Sequence, residues 1–507
     1  MSALSFPRRL PVTRRWPATL AALVAAVVLG AVCARVAISS HYGKAAVEAL
    51  AGAPFLVWVF RRPAAALLVL VAVVASLPAY GNLPRVSLPG HPPINVADVM
   101  LAAAVGGTLW RRAWRNWPPI AQRFVLAFAV VFALSLVATI KTLSLGHVQQ
   151  SAALYDLRNW FYLLAALTVM LELRGERLQT FLDGAIGLAA LVSIAAVAGA
   201  ASASVQHFLV SASSVSVYSA TDTSAATGVD IGSISRIRVQ GLFFIYWLVI
   251  PTFVLVLTDP RRRAYRTICL ALMAAAIGVS LNRNMYGGAL IGLVITGALA
   301  GTRVRMRLTL TLIAGVLAVV ILFLSSVSPA ITSQIGKRAS TVLAPSQVLS
   351  SNSAIDRKYE LAYALPSIAR HPWFGVGPRQ GYGALLSPYA DNIRFFVQDL
   401  YLWLATDFGI PTALAFLLLP GICLWFGLTR LRLADSIRQR GLLAACIGSL
   451  VAMLLSAAVD VFGQDPSSTV AFGLAFGAIL AVGLQTHQRG TDTSAVDGRT
   501  TRGAGHA

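Results

Sequence analysis

Residues 356–416 read DRKYELAYALPSIARHPWFGVGPRQGYGALLSPYADNIRFFVQDLYLWLATDFGIPTALAF. No other run in this apolar chain holds so many polar and aromatic residues. It opens as a helix: Ser353 and Asp356 have the S-x-x-D spacing of a capping box. Leu361, Leu365 and Ile368 recur at i, i+4 and i+7, which predicts one apolar face. Arg357, Lys358 and Glu360 then fall on the opposite face and read as solvated. His371-Pro372-Trp373-Phe374-Gly375-Val376-Gly377-Pro378 follows, a turn that no helix continues through. A second polar segment ends at Gln398-Asp399, directly before apolar helix resumes. The stretch reads as lying on one membrane face and shaping a site there.

Working outward, the rest of the chain supplies the membrane. Of 507 residues, 57% are hydrophobic and 12% charged, where a soluble protein carries about 25% charged. Apolar runs of about 17 to 22 residues, enough to cross the bilayer core as helix, are separated by short arginine-rich breaks. They lack the period-two alternation of a membrane barrel. The expected fold is therefore an all-α polytopic membrane protein. The net charge of +22 does not point to nucleic acid, because the arginines cluster between apolar runs as the positive-inside trend requires. Cys33, Cys269, Cys423 and Cys446 each lie in an apolar run, without a C-x-x-C or a Cys/His cluster. They read as small core residues, so neither a disulfide framework nor a metal site is expected.

The layout has about fourteen candidate spans. A cytoplasmic N-terminal tail covers 1–17, spans one to eleven cover 18–327, a large outside loop covers 328–398, spans twelve to fourteen cover 399–484, and a disordered cytoplasmic tail covers 485–507. The first apolar run is too long for a signal-peptide core and reads as a retained span. A Ser/Ala/Thr-rich loop up to about 235 reads as mobile. Spans nine and ten are joined outside by only Asn282-Arg283-Asn284. Gly409-Ile410-Pro411 divides the last part of the opening stretch into a short outer helix and a true span. An even number of spans puts both termini in the cytoplasm.

Several residues at the expected outer face can carry chemistry. Arg283 sits in a short outside turn, against the positive-inside trend. It either snorkels to lipid headgroups or faces a cavity and binds an anion. Arg238, just before span eight, lies at the same level, and two converging arginines suit a diphosphate. Arg370 and Arg379 flank the turn and could contact phosphate or sugar. His371 is a candidate base, with a plainer reading as a turn residue. Asp399 at the mouth of span twelve is the carboxylate to watch, since a partly desolvated base has its pKa raised towards neutrality. Asp407 lies two turns deeper, where an acid is costly unless paired or functional. Asp156 and Arg158 read as a structural ion pair. Trp373 and Tyr401, with the neighbouring aromatics, fit an interfacial belt or a platform for sugar rings.

Taken together these motifs resemble the bacterial O-antigen ligase and polymerase-like integral membrane glycosyltransferases. The resemblance rests on Arg238-Val239-Gln240-Gly241, on Leu281-Asn282-Arg283-Asn284-Met285-Tyr286-Gly287-Gly288, and on Arg370-His371-Pro372-Trp373-Phe374-Gly375-Val376-Gly377-Pro378. Asp399-Leu400-Tyr401-Leu402 and Asp407-Phe408-Gly409-Ile410-Pro411 follow in order. Ile94-Asn95-Val96-Ala97-Asp98 is a weaker echo. It covers about 230–430 well and the N-terminal half only by topology. It implies a GT-C-like fold with short helices in the large loop, and glycan transfer at the periplasmic face of the bacterial inner membrane. The donor would be undecaprenyl-diphosphate-linked, with a glycan or lipid acceptor, no cofactor and no obligatory metal. A chain-length regulator is a possible partner. True ligases carry a His-Asn pair where this chain has Gln398-Asp399, and glutamine cannot act as a base. The resemblance therefore tilts towards a polymerase of O-antigen or exopolysaccharide. Arg238 and Arg283 would hold the diphosphate, Asp399 would orient or deprotonate the acceptor hydroxyl, and Gln398 would hydrogen-bond sugar. A ligase acting on lipid A core or protein is the alternative. A lipid-linked glycan flippase is a third reading, although it would be expected to hide its ionisable residues near the bilayer midplane.

Overall fold

The computed structural model describes residues 54–75, 85–86, 94–112, 116–146, 150–201, 216–218, 236–238, 241–280, 282–311, 352–381, 397, 399–434, 436–459 and 465–500. The chain divides into two units, Met1–Arg62 and Pro63–Ala507. In the first, a short helix Pro54–Phe60 stacks Phe55 on Trp58, with ring centroids 6.0 Å apart. The second holds everything below.

Its helices, in order, are α1 (Pro63–Val74), α2 (Val96–Arg111), α3 (Pro119–Ser144), α4 (Gln150–Asn159), α5 (Ala165–Glu172), α6 (Glu176–Ala201), α7 (Leu242–Thr258), α8 (Arg263–Ser280), α9 (Arg283–Leu299), α10 (Asn352–Arg370), α11 (Leu400–Asp407), α12 (Ile410–Leu431), α13 (Ile437–Ala457) and α14 (Pro466–Thr500). A 3-10 turn, Trp160–Leu164, joins α4 to α5. Among the described residues, six helices are long and apolar enough to cross a bilayer: α3, α6, α8, α12, α13 and the first part of α14. The chain is a multi-pass membrane protein. α7 and α9 are apolar but shorter. The span expected at 18–38 and most of that at 308–327 lie outside the described residues. α14 runs on to Thr500, past the point where the sequence reads as a polar tail.

Among the described residues, two small antiparallel ladders interrupt the helices. Arg85–Val86 pairs with Ile94–Asn95, and Ser216–Tyr218 pairs with Arg236–Arg238, Ser216 opposite Arg238. The second falls inside the loop for which no regular structure is expected; its strands are too short for an alternation to show in the sequence.

α7 and the apolar part of α14 are buried almost all round and form the centre, while α3 and α8 turn many apolar side chains outward. A helix apolar on every side belongs inside a bundle. α7, α9 and α13 pack closely. A Cβ on Gly292 would sit 2.7 Å from the Gly448 carbonyl, and one on Gly448 would sit 2.2 Å from Thr296 Oγ1. Association of apolar helices in lipid relies on such small-residue contacts.

The helix directions sort the polar residues into two ends. At one end, the close of α7 and the starts of α6, α8 and α13 share a buried charge network. Arg266 reaches Asp183 (2.7 Å) and Asp259 (2.6 Å), and Arg438 adds a second cation to Asp259 (2.5 Å). At the other end lie the starts of α2, α4, α7, α9, α11 and α14 and the closes of α3 and α13.

Candidate active site

The second end holds the candidate site. α11 begins where Asp399 caps it: Oδ1 accepts the main-chain N–H groups of Tyr401 (2.8 Å) and Leu402 (3.0 Å). Aspartate is a favoured N-cap because it satisfies donors that the first turn leaves open. Burial pushes the Asp399 carboxyl above its ordinary range, while the two N–H donors and then Arg357 pull the other way. Tyr401 donates to the Leu454 carbonyl of α13 (2.9 Å), and burial raises its phenol to about 12. Trp403 is buried, stacked against Trp160 with centroids 6.4 Å apart and edge-on to Phe408 at 5.5 Å.

The close of α13 acts as a hub. The Val459 carbonyl receives Asn284 Nδ2 (3.2 Å) from the first turn of α9 and Arg357 Nη2 from α10. Ser456 Oγ donates to the Asn284 carbonyl (3.2 Å) and pairs with Tyr246 of α7 (2.9 Å). Asn282 caps α9 by accepting the N–H of Asn284 (3.2 Å), so Arg283 is the first residue of that helix. Arg238 ends a ladder strand four residues before α7. The backbone thus brings the Arg238 and Arg283 positions and Asp399 to one end of the bundle. Gln398 lies outside the described residues.

The turn after α10 is docked on the far end of α11. Val376 N–H donates to the Thr406 carbonyl (2.8 Å), Gly377 N–H to that of Asp407 (3.1 Å) and Ile410 N–H to that of Pro372 (2.9 Å). The first two satisfy carbonyls that the end of α11 leaves open, and the third a donor that the start of α12 leaves open. Gly377 has φ +113°, and a Cβ there would lie 1.9 Å from Thr142 Oγ1 of α3. The break at Phe408-Gly409 falls where Gly409-Ile410-Pro411 predicts it.

Of the substrate candidates here, Arg379 is committed elsewhere. It makes a bidentate pair with Asp156 (2.9 to 3.1 Å) and lies 5.6 Å over the Tyr155 ring. The pairing expected between Asp156 and Arg158 is therefore not formed; Arg158 meets Asp98 instead (3.4 Å). Side chains two apart on a helix do not face each other. Arg370 is exposed and donates to the Pro366 carbonyl of its own helix (3.2 Å). His371 and Trp373 are exposed, and the His371 main chain closes the turn by accepting Gly375 N–H (3.0 Å). Asp407 is fully buried. It takes hydrogen bonds from Trp403 and from the Arg379 main chain, and burial beside Asp156 pushes its carboxyl well above the carboxylate range.

α10 presents a different face from the expected one. Glu360, Ala364 and Ser367 are buried, whereas Leu361 and Leu365 are exposed. Arg357, expected in solvent, is half-buried at the hub.

Residues 268–417, from the start of α8 into α12, match the family model described as O-Antigen ligase. That segment is similar to the O-antigen ligase family. No curated protein matches the chain. The O-antigen ligase-like segment contains Arg283, Arg357, the docked turn, Asp399 and Asp407, and leaves Arg238 and Asp156 outside it. Among the described residues no cluster of His, Cys, Asp and Glu could hold a metal ion.

Proposed function

We propose that the chain is a membrane glycosyltransferase that polymerises undecaprenyl-diphosphate-linked oligosaccharide repeat units at the periplasmic face of the bacterial inner membrane. One observation carries the reading. The start of α9, with Arg283, and the capped start of α11, with Asp399, both lie inside the matched segment and are tied to the same end of α13. Arg283, joined by Arg238, would neutralise the donor diphosphate. The N-terminus of α9 adds its dipole, which favours an anion. Both main-chain donors to Asp399 sit on Oδ1, which leaves Oδ2 for a proton. The acceptor hydroxyl gives its proton to Oδ2, its oxygen bonds to the anomeric carbon, and the bond from that carbon to the diphosphate oxygen breaks. The lipid diphosphate leaves with the electron pair, stabilised by the arginines. The exposed Trp373 offers a flat apolar face to a sugar ring.

Transfer to lipid A core or to protein is the second reading, favoured by the description of the matched family. The test incubates purified protein with lipid-diphosphate oligosaccharide and resolves products on a gel. Polymerisation gives a ladder of lengthening lipid-linked glycan, lost in Arg283→Ala. A single transfer, seen only when a lipid A core or protein acceptor is added, would replace the polymerase with a ligase. Passage of labelled substrate across liposomes with no transfer would sink both.

A further inference from the structure

A cavity of about 660 Å³ opens between α2, α4 and the 3-10 turn, within the range of about 300–1,000 Å³ usual for small-molecule sites. On α2 its wall includes Asp98, Leu101, Ala102 and Val105, the i, i+3, i+4, i+7 spacing of one helix face. Leu157 and Phe161 belong to the opposite wall. Charge is confined to one end, where Arg158 meets Asp98 at 3.4 Å and Tyr162 donates to the other oxygen of Asp98 (2.7 Å). From Asp98 to Gly106 α2 rises about 12 Å, close to the depth of one leaflet of the bilayer core, about 15 Å. None of the lining residues belongs to α7, α9, α11 or α13, so the cavity is separate from the site around Asp399. We propose that it holds one chain of a zwitterionic phospholipid, with the headgroup phosphate on Arg158 and the amine on Asp98.

Three features select this occupant. The walls are open to the surroundings, since Ala102 and Phe161 are exposed, and in a multi-pass membrane protein an exposed apolar wall meets hydrocarbon. The order of the lining, charged at the start of α2 and apolar below it, follows the order of a lipid from headgroup to chain. The charges then choose the headgroup. Arg158 and Asp98 both still reach the surface, at 15% and 19% side-chain exposure. A guanidinium alone would accept any phosphate. Asp98 beside it repels further negative charge and attracts an amine, which disfavours a lipid diphosphate here. The headgroup would also stand next to the docked turn, because Arg158 lies 4.7 Å and Arg379 5.6 Å from the centre of the same Tyr155 ring.

The experiment places the purified full-length protein in nanodiscs containing equal amounts of phosphatidylethanolamine, phosphatidylglycerol and a polyprenyl diphosphate. The protein is released into mild detergent, and the lipid it retains is identified by native mass spectrometry. The expected result is a single retained phosphatidylethanolamine in the wild type. Ala102→Trp, whose indole would fill the cavity, is expected to retain none, and Arg158→Gln to bind about tenfold more weakly. Unchanged retention in Ala102→Trp would put the lipid elsewhere and overturn the proposal. So would a wild type that retains no lipid, or one that retains phosphatidylglycerol or the polyprenyl diphosphate equally well. If Ala102→Trp does not fold, Val105→Phe, a turn deeper on the same wall, takes its place with the same expected loss.

Discussion

Because Oδ1 of Asp399 caps α11, two substitutions there separate fold from chemistry. Asparagine offers the same capping oxygen without the charge. Asp399→Asn is expected to keep the wild-type melting temperature and to lose about 10²–10⁴-fold in transfer, the usual contribution of a general base. Asp399→Ala loses the cap as well and about 1 kcal/mol of stability, read by thermal unfolding in detergent. Asp407 behaves oppositely. Its folded pKa is raised, so its stabilising contribution is complete below the unfolded value of 3.8 and is lost as pH rises through the folded value. Asp407→Asn keeps a neutral side chain at all pH, so its stability relative to wild type is expected to improve as the buffer becomes more alkaline. Asp399 and Asp407 are legible in the sequence as acids at, and two turns beyond, the point where apolar helix resumes. The commitment of Arg379 to Asp156 was not legible, since the partners stand 223 residues apart and only the folded bundle joins them.

For the elements, periodicity revealed α10 but not its orientation. In water, a leucine stripe points to the core. Beside a bilayer the surroundings are also apolar, so Leu361 and Leu365 can face outward while Glu360, Ala364 and Ser367 pack inward. Ala364→Leu is therefore expected to destabilise by about 1–3 kcal/mol through overpacking, whereas Leu365→Ala changes thermal stability little. The turn that docks on α11 makes a second prediction. Gly377→Ala places a methyl group against Thr142 in a backbone conformation that alanine resists. It should free the turn, seen as faster proteolysis near residue 377 and lost transfer. The short outer helix and the break at Gly409 were legible because glycine and proline act locally. The inward face of α10 was not, because it depends on which surfaces lie beyond the helix.

Across the whole molecule, the two ends of the bundle differ in kind. One end is closed by Asp183, Asp259, Arg266 and Arg438, with Arg266 almost fully buried. Removing one partner leaves a buried charge uncompensated, so Asp183→Asn should cost about 3–5 kcal/mol. The measurement is thermal unfolding in detergent; the glycan product made by the surviving folded fraction should be unchanged. Apolar run length made the membrane class legible. It did not reveal that α7 and α14 are central while α3 and α8 are peripheral, because helices in lipid are apolar on either kind of face.

The ties that frame the site end on main-chain carbonyls: Val459, Leu454, Asn284, Thr406, Asp407 and Pro372. A carbonyl is the same atom in every residue type. A screen of point mutants would therefore expose the side-chain donors, Arg357, Asn284, Tyr401 and Ser456, and pass over Val459 and Leu454, which take part only through their carbonyls. Relatives could differ freely at those acceptor positions and still inherit an identical frame. The scaffold of this site is written in the path of the chain, out of reach of most substitutions in the gene.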